Sequence, residues 1–279
     1  MRMGAPDIGF DPKTYWEERL SDGVGLHRVG NRRVGVQYNR WLYVVRRAQF
    51  VVRMRRMLGS KERSALEVLD VGSGSGVYID LWQRLGVGRV VGSDLTLEAM
   101  IYLQRTFPGV RFQQGDVGDP NFMSGEGPFD VVSAFDVLFH IVDDGRFAQA
   151  IANIGRLVKP GGYFVFTDLF LHGRSFKSPH QVGRTLEHQR SVLHRAGFQI
   201  VDRKPIFVIM EAPVDSTSVL HRRFWRSWRD LVSKREAFGF IAGALAFPIE
   251  LVLSTAMSEG PSIEMMVCRQ PVDRSSVKV

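Results

Sequence analysis

The sequence predicts an α/β fold built on a doubly wound, mostly parallel sheet, and three observations carry that prediction. An apolar strand runs straight into a glycine-rich turn that opens a helix, Val68-Leu69-Asp70-Val71-Gly72-Ser73-Gly74-Ser75-Gly76. Further short apolar runs alternate with helical segments, the pattern of strands joined by crossover helices. The strands that follow end in acidic residues, which a parallel arrangement brings to one sheet edge.

The glycine turn sets the chemistry. Glycine lets backbone approach a ligand where a Cβ would clash, and the free N–H groups of the next helix favour a negative group. The spacing is G-x-G-x-G, because a dinucleotide fingerprint would need its third glycine where Val77 stands. The second strand, Arg89-Val90-Val91-Gly92-Ser93, ends in Asp94, 18 residues after Gly76. A carboxylate there can accept bonds from the vicinal hydroxyls of a ribose, and a charged hydrogen bond contributes about 1.5–3 kcal/mol. Its plainer use is to cap the helix that begins near Thr96. The third strand, Val110-Arg111-Phe112-Gln113-Gln114, ends in Gly115-Asp116-Val117, a second acid suited to an adenine amino group.

A fourth strand occupies residues 129–136, and Phe147, Ile151 and Ile154 then recur at i, i+4 and i+7, which predicts a helix. Pro160, Gly161 and Gly162 stop that helix and lead into a fifth strand over residues 163–167. A sixth strand begins at Gln199-Ile200-Val201, and a last one covers residues 263–268.

As an ordered set these residues resemble the class I S-adenosylmethionine-dependent methyltransferases, from about Leu66 to Phe207 and again near Ser262. The resemblance implies a Rossmann-like, seven-stranded, mostly parallel sheet with its last strand antiparallel. It also implies S-adenosylmethionine as cofactor and S-adenosylhomocysteine as product. Asp70, Gly72, Ser73 and Gly74 would hold the methionine half, Asp94 with Leu95 the ribose, and Asp116 with Val117 the adenine. Ala134 and Phe135 would line the methionine side.

Further roles follow from the same resemblance. Many small-molecule members fold an N-terminal aromatic over the cofactor, and Tyr15 is the candidate here. His140, in Asp136-Val137-Leu138-Phe139-His140-Ile141, is the expected general base, since an imidazole titrates near working pH. Tyr38, His172 and His180 are the expected acceptor contacts, and Arg184 and Glu187 on a following helix either bind substrate or are solvated.

Length and charge divide the rest of the chain. With 279 residues, 44% of them hydrophobic, it can bury one large core and still carry additions. The expected division is an N-terminal helical extension over 1–60, a core over 61–210 and 261–279, and a helical insertion over 211–260. The lone Cys268 permits no disulfide framework, and no clustered Cys/His pattern suggests a metal. No signal peptide is read at the N-terminus, and a cytoplasmic setting is expected.

The formal net charge is +8, yet residues 1–60 hold 12 Lys/Arg against 5 Asp/Glu. Trp41, Val45, Ala48 and Val52 predict an apolar helix face there, with Arg46, Arg47, Arg53 and Arg56 mostly on other faces. The insertion adds about fifty residues where the family joins two strands almost directly. Its apolar stretch from Phe238 to Ser254 contains Pro248 and Glu250 and falls short of a comfortable membrane span. A cap over the acceptor, an interface in a homodimer and a peripheral membrane contact are its three open uses.

The functional expectation is a metal-independent methyltransferase acting on a small-molecule or lipid-like acceptor in a biosynthetic pathway, with oxygen the default target. Methylation of carbon or nitrogen in a natural product, or of a lipid or glycan precursor at a membrane, is the nearest alternative. A non-catalytic cofactor-binding module on the same fold is the alternative of another class. A dehydrogenase is disfavoured by the glycine spacing. A nucleic-acid amino-methyltransferase would carry an Asn/Asp-Pro-Pro-aromatic run where Ser133-Ala134-Phe135-Asp136 stands, so no nucleic-acid partner is expected. A catechol-type metal enzyme would offer an Asp-Asn pair, which the chain lacks.

Overall fold

The computed structural model describes residues 10–272. The first nine residues of the predicted extension, with the reading of the N-terminus, and residues 273–279 of the predicted core lie outside the described residues. In chain order the elements are α1 (Pro12–Leu20), α2 (Leu26–Val29), α3 (Val36–Leu58), β1 (Glu67–Val71), α4 (Val77–Arg84), β2 (Arg89–Asp94), α5 (Leu97–Thr106), β3 (Arg111–Gln114) and β4 (Phe129–Ala134). There follow α6 (Asp144–Leu157), β5 (Val158–Asp168), β6 (Phe170–Leu171), β7 (Phe176–Lys177), β8 (Val182–Thr185), α7 (Leu186–Arg195), β9 (Gln199–Pro205), α8 (Val219–Lys234), α9 (Glu236–Ala256) and β10 (Glu264–Arg269).

Seven strands form one sheet in the order β3-β2-β1-β4-β5-β10-β9, and only β10 runs antiparallel to its neighbours. The chain winds outward from β1 to β3, then returns to lay β4 on the other side of β1. The crevice beyond the strand ends at this reversal is where open α/β sheets bind ligands. Both faces of the sheet are covered, so alternate residues serve separate cores. Val68 packs with Phe50 and Trp82 on one side, while Leu69 packs with Phe147, Ile151 and Phe166 on the other. The seven-stranded fold with its antiparallel last strand is as expected from sequence. The small sheet β6-β8-β7 was not foreseen, and it places Arg184 in a strand instead of on a helix.

Helix α3 forms where its apolar period predicts a helix, but its buried face is turned. Tyr38, Leu42, Val45, Gln49, Phe50, Met54 and Leu58 face inward, whereas Val52 is 63% exposed. Two of its arginines are buried as well. Arg46 Nε donates to Asp136 Oδ2 at 2.8 Å, and Arg53 donates to the carbonyls of Lys204 and Pro205. Burial without a bonded carboxylate lowers the Arg53 guanidinium pKa to about 10. Periodicity sorts residues by apolarity, so it could not anticipate cations whose partners lie far along the chain.

The extension and the insertion meet in one outer layer. Gly35 offers α3 no side-chain cap, and the Glu236 carboxylate of α9 accepts the N–H groups of Val36 and Gln37 instead. A negative charge at that terminus also complements the helix dipole. Trp41 lies flat against Gly243, where a Cβ would come within 2.3 Å of its Cδ1, and packs on Phe240 and Phe247. Glu250, fully buried in α9, accepts backbone N–H bonds from Val208, Ile209 and Met210.

That carboxylate stitches the insertion to the chain leaving β9. Glu250→Leu strands three donors, two of them buried, and is expected to cost about 3 kcal/mol. A urea titration should show the lower midpoint with the slope unchanged.

Candidate active site

The turn after β1 is shaped by left-handed backbone and by close neighbours. At Gly72, φ is +68° and a Cβ would stand 2.3 Å from Val137 Cγ2; at Gly76, φ is +75° and a Cβ would meet Phe107 at the same distance. Only glycine satisfies both the dihedral and the space. Ser73 N donates to Ser93 O at 2.9 Å, and Gly76 N donates to Ser73 O at 2.8 Å, so the turn is tied to β2 and to itself. Gly76 gives α4 no side-chain cap, which leaves the first N–H groups of that helix facing the crevice.

The acids predicted from sequence reach this crevice by different routes. Asp94 Oδ2 accepts Gly74 N at 2.9 Å, while Oδ1 accepts the N–H and hydroxyl of Thr96 at 3.0 and 2.9 Å. Thr96 in turn caps α5 through Ala99 N. A carboxylate offers about four acceptor positions, so the capping role and one further bond on Oδ2 coexist. Burial holds the Asp94 carboxyl above its ordinary range, against the hydrogen bonds from Thr96 and Gly74. Asp116 accepts Gly118 N on Oδ1 and Arg146 Nη2 on Oδ2, at 2.7 and 2.6 Å.

Asp70 corrects the sequence reading, because its carboxylate is buried beneath the loop and does not line the crevice. Ser133 Oγ donates to Asp70 Oδ1 at 2.7 Å and accepts from Trp82 Nε1. Desolvation pushes the Asp70 carboxyl up to about 7, and its Oδ2 has no bonded partner among the described residues.

A cavity of about 450 Å³ opens at these strand ends. Gly72, Ser73, Gly74, Asp94, Leu95, Asp116, Val117, Phe135 and His140 all line it. Its cover is α1, capped by Asp11 on Thr14 and held down by Arg19, which donates to the carbonyls of Arg28 and Gly30. The aromatic that faces the cavity from α1 is Trp16, not Tyr15. Tyr15 stacks on the His180 ring at 5.2 Å and takes a bond from Arg19, so it fastens the cover from outside.

His140 stands under Trp16, ring centroids 4.9 Å apart and nearly perpendicular. Its Nδ1 lies 2.7 Å from His180 O, so the ring donates there as the Nδ1–H tautomer and keeps the Nε2 lone pair. Burial lowers the His140 pKa to about 4, outweighing the bond to His180 that raises it. The imidazole is therefore neutral near pH 7.

Three expected acceptor contacts lie elsewhere. Tyr38 is fully buried between Met210 O and Trp228 Nε1. His172 sits between Asp215 and Glu259 at 2.6 and 3.1 Å, on a loop that does not touch the cavity. His180 contributes its backbone carbonyl to His140 and lies outside the lining. Arg184 is buried, bonded to Asp144 and Ile141 O, and is structural.

The wall deep to His140 holds residues that sequence reasoning missed. Asp136 lines the cavity with φ +58°, an unusual backbone for a non-glycine residue, together with Tyr43 and Tyr78. Thr167 Oγ1 accepts Asp136 N and donates to its Oδ1, while Arg46 secures Oδ2. Phe135 stacks on Tyr78 at 4.0 Å. The Arg46–Asp136 pair spans 90 residues, so no local spacing announces it.

Comparison with known proteins agrees with this geometry. Residues 68–162 match the methyltransferase domain family. The ubiquinone biosynthesis O-methyltransferase of Albidiferax ferrireducens is 35% identical over 115 residues, covering 39% of this chain and 44% of that protein. The enzyme of the same name from Escherichia coli is 28% identical over 167 residues, covering 58% and 60%. The chain thus spans about half the length of the curated relatives it matches.

Among solved structures, a candidate sarcosine dimethylglycine methyltransferase from Galdieria sulphuraria superposes with a TM-score of 0.57 at 15% identity, over 92% of this chain and 97% of that one. An S-adenosylmethionine-dependent methyltransferase from Mesorhizobium loti gives 0.50 at 17% identity, over 78% and 96%. At such identities the likeness is one of fold.

The His140 geometry is directly measurable. Long-range ¹H–¹⁵N spectra should show the Nδ1–H tautomer at neutral pH and protonation only near pH 4. The unfolded chain takes up that proton near 6.5, so between these values the unfolded state binds more protons, and stability falls as pH drops through the window.

Proposed function

We propose that this chain, which belongs to the class I S-adenosylmethionine-dependent methyltransferases through its methyltransferase domain, moves a methyl group to a hydroxyl oxygen of a small, largely apolar acceptor. The observation that carries this reading is the joining of the glycine turn, Asp94, Asp116 and His140 around one cavity. Its volume of about 450 Å³ lies within the usual range of small-molecule sites, about 300–1,000 Å³. The names of the curated relatives support oxygen as the target.

The donor set fits the cofactor. The uncapped N-terminus of α4, just past the turn, suits the α-carboxylate of its methionine end. Asp94 keeps an acceptor position for a ribose hydroxyl, Asp116 and the Val117 N–H suit the adenine edge, and Leu95 supplies apolar surface for its face. When bound, S-adenosylmethionine supplies a methyl already activated by a sulfonium leaving group.

The protein's part is alignment and proton handling. Trp16 and the α1 cover exclude water, and alignment of the reacting groups can contribute about 7–11 kcal/mol. An acceptor hydroxyl oxygen that received the methyl would be far more acidic than an imidazolium, so its proton would need only a modest base. Nε2 of a neutral His140 can then take the proton even with a pKa near 4. Protonation beforehand would remove the lone pair, so the low pKa keeps His140 competent in mildly acidic solution.

Calorimetry with S-adenosylhomocysteine tests the cofactor reading: the wild type should bind, and Asp94→Ala should weaken binding about tenfold or more. No binding by the wild type would sink it. His140→Ala should lower turnover about 10²-fold with cofactor affinity retained. For the wild type, kcat/KM should show no acid limb near 6.5, because the group that must stay unprotonated titrates near 4.

A further inference from the structure

The outer face of α9 carries no charge at all. Between Glu236 and Glu250 the helix has only apolar and small residues, and Glu250 itself is buried. Phe240, Ile241, Leu245, Ile249 and Val252 all point to solvent, with Leu245 and Val252 each 67% exposed. Exposed apolar side chains scattered singly need no explanation, but a stripe about three turns long on one helix does.

Helix α8 continues the pattern with charge added. Leu220, Phe224 and Leu231 are exposed at i, i+4 and i+11, with half-buried Trp228 between them stacked on Phe224. Arg222, Arg223, Arg226 and Arg229 occupy the opposite flank, and Lys234 and Arg235 stand at the junction with α9. Arg223, Arg226, Lys234 and Arg235 form no ion pair among the described residues. Helix α3, which packs on α9, also exposes Arg40, Arg47, Arg55 and Arg56.

We infer that the α8–α9 hairpin is a peripheral docking surface for an anionic lipid bilayer, lying in the plane of the interface with its apolar stripe among the acyl chains and its cations at the headgroups. This goes beyond methyl transfer and does not rest on it. By length and composition α9 could cross a membrane. Its inner face forbids that, because Gly239 and Gly243 are pressed against Tyr38 and Trp41 and Glu250 is bound to the chain after β9. A helix held by one face and apolar on the other can only lie on the surface. Charge selects the occupant: a second copy seated on this face by two-fold symmetry would set these unpaired cations against their own counterparts. An anionic surface attracts them, each nearby cation strengthening binding about fivefold.

The test is flotation of the full chain with phosphatidylcholine vesicles, with and without phosphatidylglycerol, at low and high salt. The wild type should float with the anionic vesicles at low salt at least tenfold more than with neutral ones, and salt should weaken it. Leu245→Glu/Val252→Glu should abolish flotation with the melting temperature unchanged, since both side chains are exposed in the free protein. Arg223→Glu/Arg226→Glu should reduce binding about tenfold or more and flatten its salt dependence. Failure of the wild type to float at low salt, or flotation undiminished in Leu245→Glu/Val252→Glu, overturns the inference. So does sedimentation showing a dimer that the same variant dissolves, without vesicle binding.

Discussion

The Arg46–Asp136 ion pair is the interaction on which the arrangement around the cavity depends. Asp136, two residues past the central strand β4, is held in a left-handed conformation that a non-glycine residue adopts only when its surroundings hold it there. Thr167 grips its backbone N–H and one carboxylate oxygen, and Arg46 grips the other. The guanidinium is itself packed over the rings of Phe207 and Tyr43. Removing one partner of a fully buried pair costs about 3–5 kcal/mol, and less where, as here, Asp136 keeps about a fifth of its side chain exposed. The pair therefore does two things together: it locks a strained residue into the cavity wall, and it fixes the rotation of α3 on the sheet.

Everything outside the core inherits its position from α3. Glu236 caps that helix from α9, Gln49 donates to Ser254 near the far end of α9, and Trp41 fills the space that Gly243 leaves open. At its start, Asn39 bonds both backbone groups of Asn31 and so anchors the turn that follows α2. Helix α2 receives the Arg19 clamp from α1, so the cavity cover is referred to the same helix. The extension and the insertion are far apart in sequence yet form one layer, with its polar bonds inward and its apolar stripe outward.

Desolvation governs the acid–base character of the site. Asp70, Asp94 and His140 are all shifted toward their neutral forms, and burial is the first cause in each case. For His140 the consequence is a lone pair available at neutral pH and an Nδ1–H committed to a carbonyl, which defines both tautomer and direction. For Asp70 it is a carboxyl that is tied through Ser133 to β4 and, by way of Trp82, to α4, without reaching the cavity.

Much of the core was legible because its signals are local. The glycine turn, the strand-end acids Asp94 and Asp116, and the helix face of Phe147, Ile151 and Ile154 depend on short-range periodicity or on backbone needs that only glycine meets, whereas His140 was reached through the family resemblance. The turn, the two acids and His140 came together at one cavity because a parallel sheet brings successive strand ends to one edge. What the sequence could not express were contacts whose partners are remote. Tyr38 was assigned to the acceptor and is instead sealed between Met210 and Trp228; Tyr15 was assigned to the cofactor, while Trp16, one residue along the same turn, faces the cavity. The roles of Arg46, Asp136, Glu236 and Glu250 were decided by tertiary structure alone. A buried charge is stable only beside the group that satisfies it, and here those groups are brought close by the fold and not by the order of the chain.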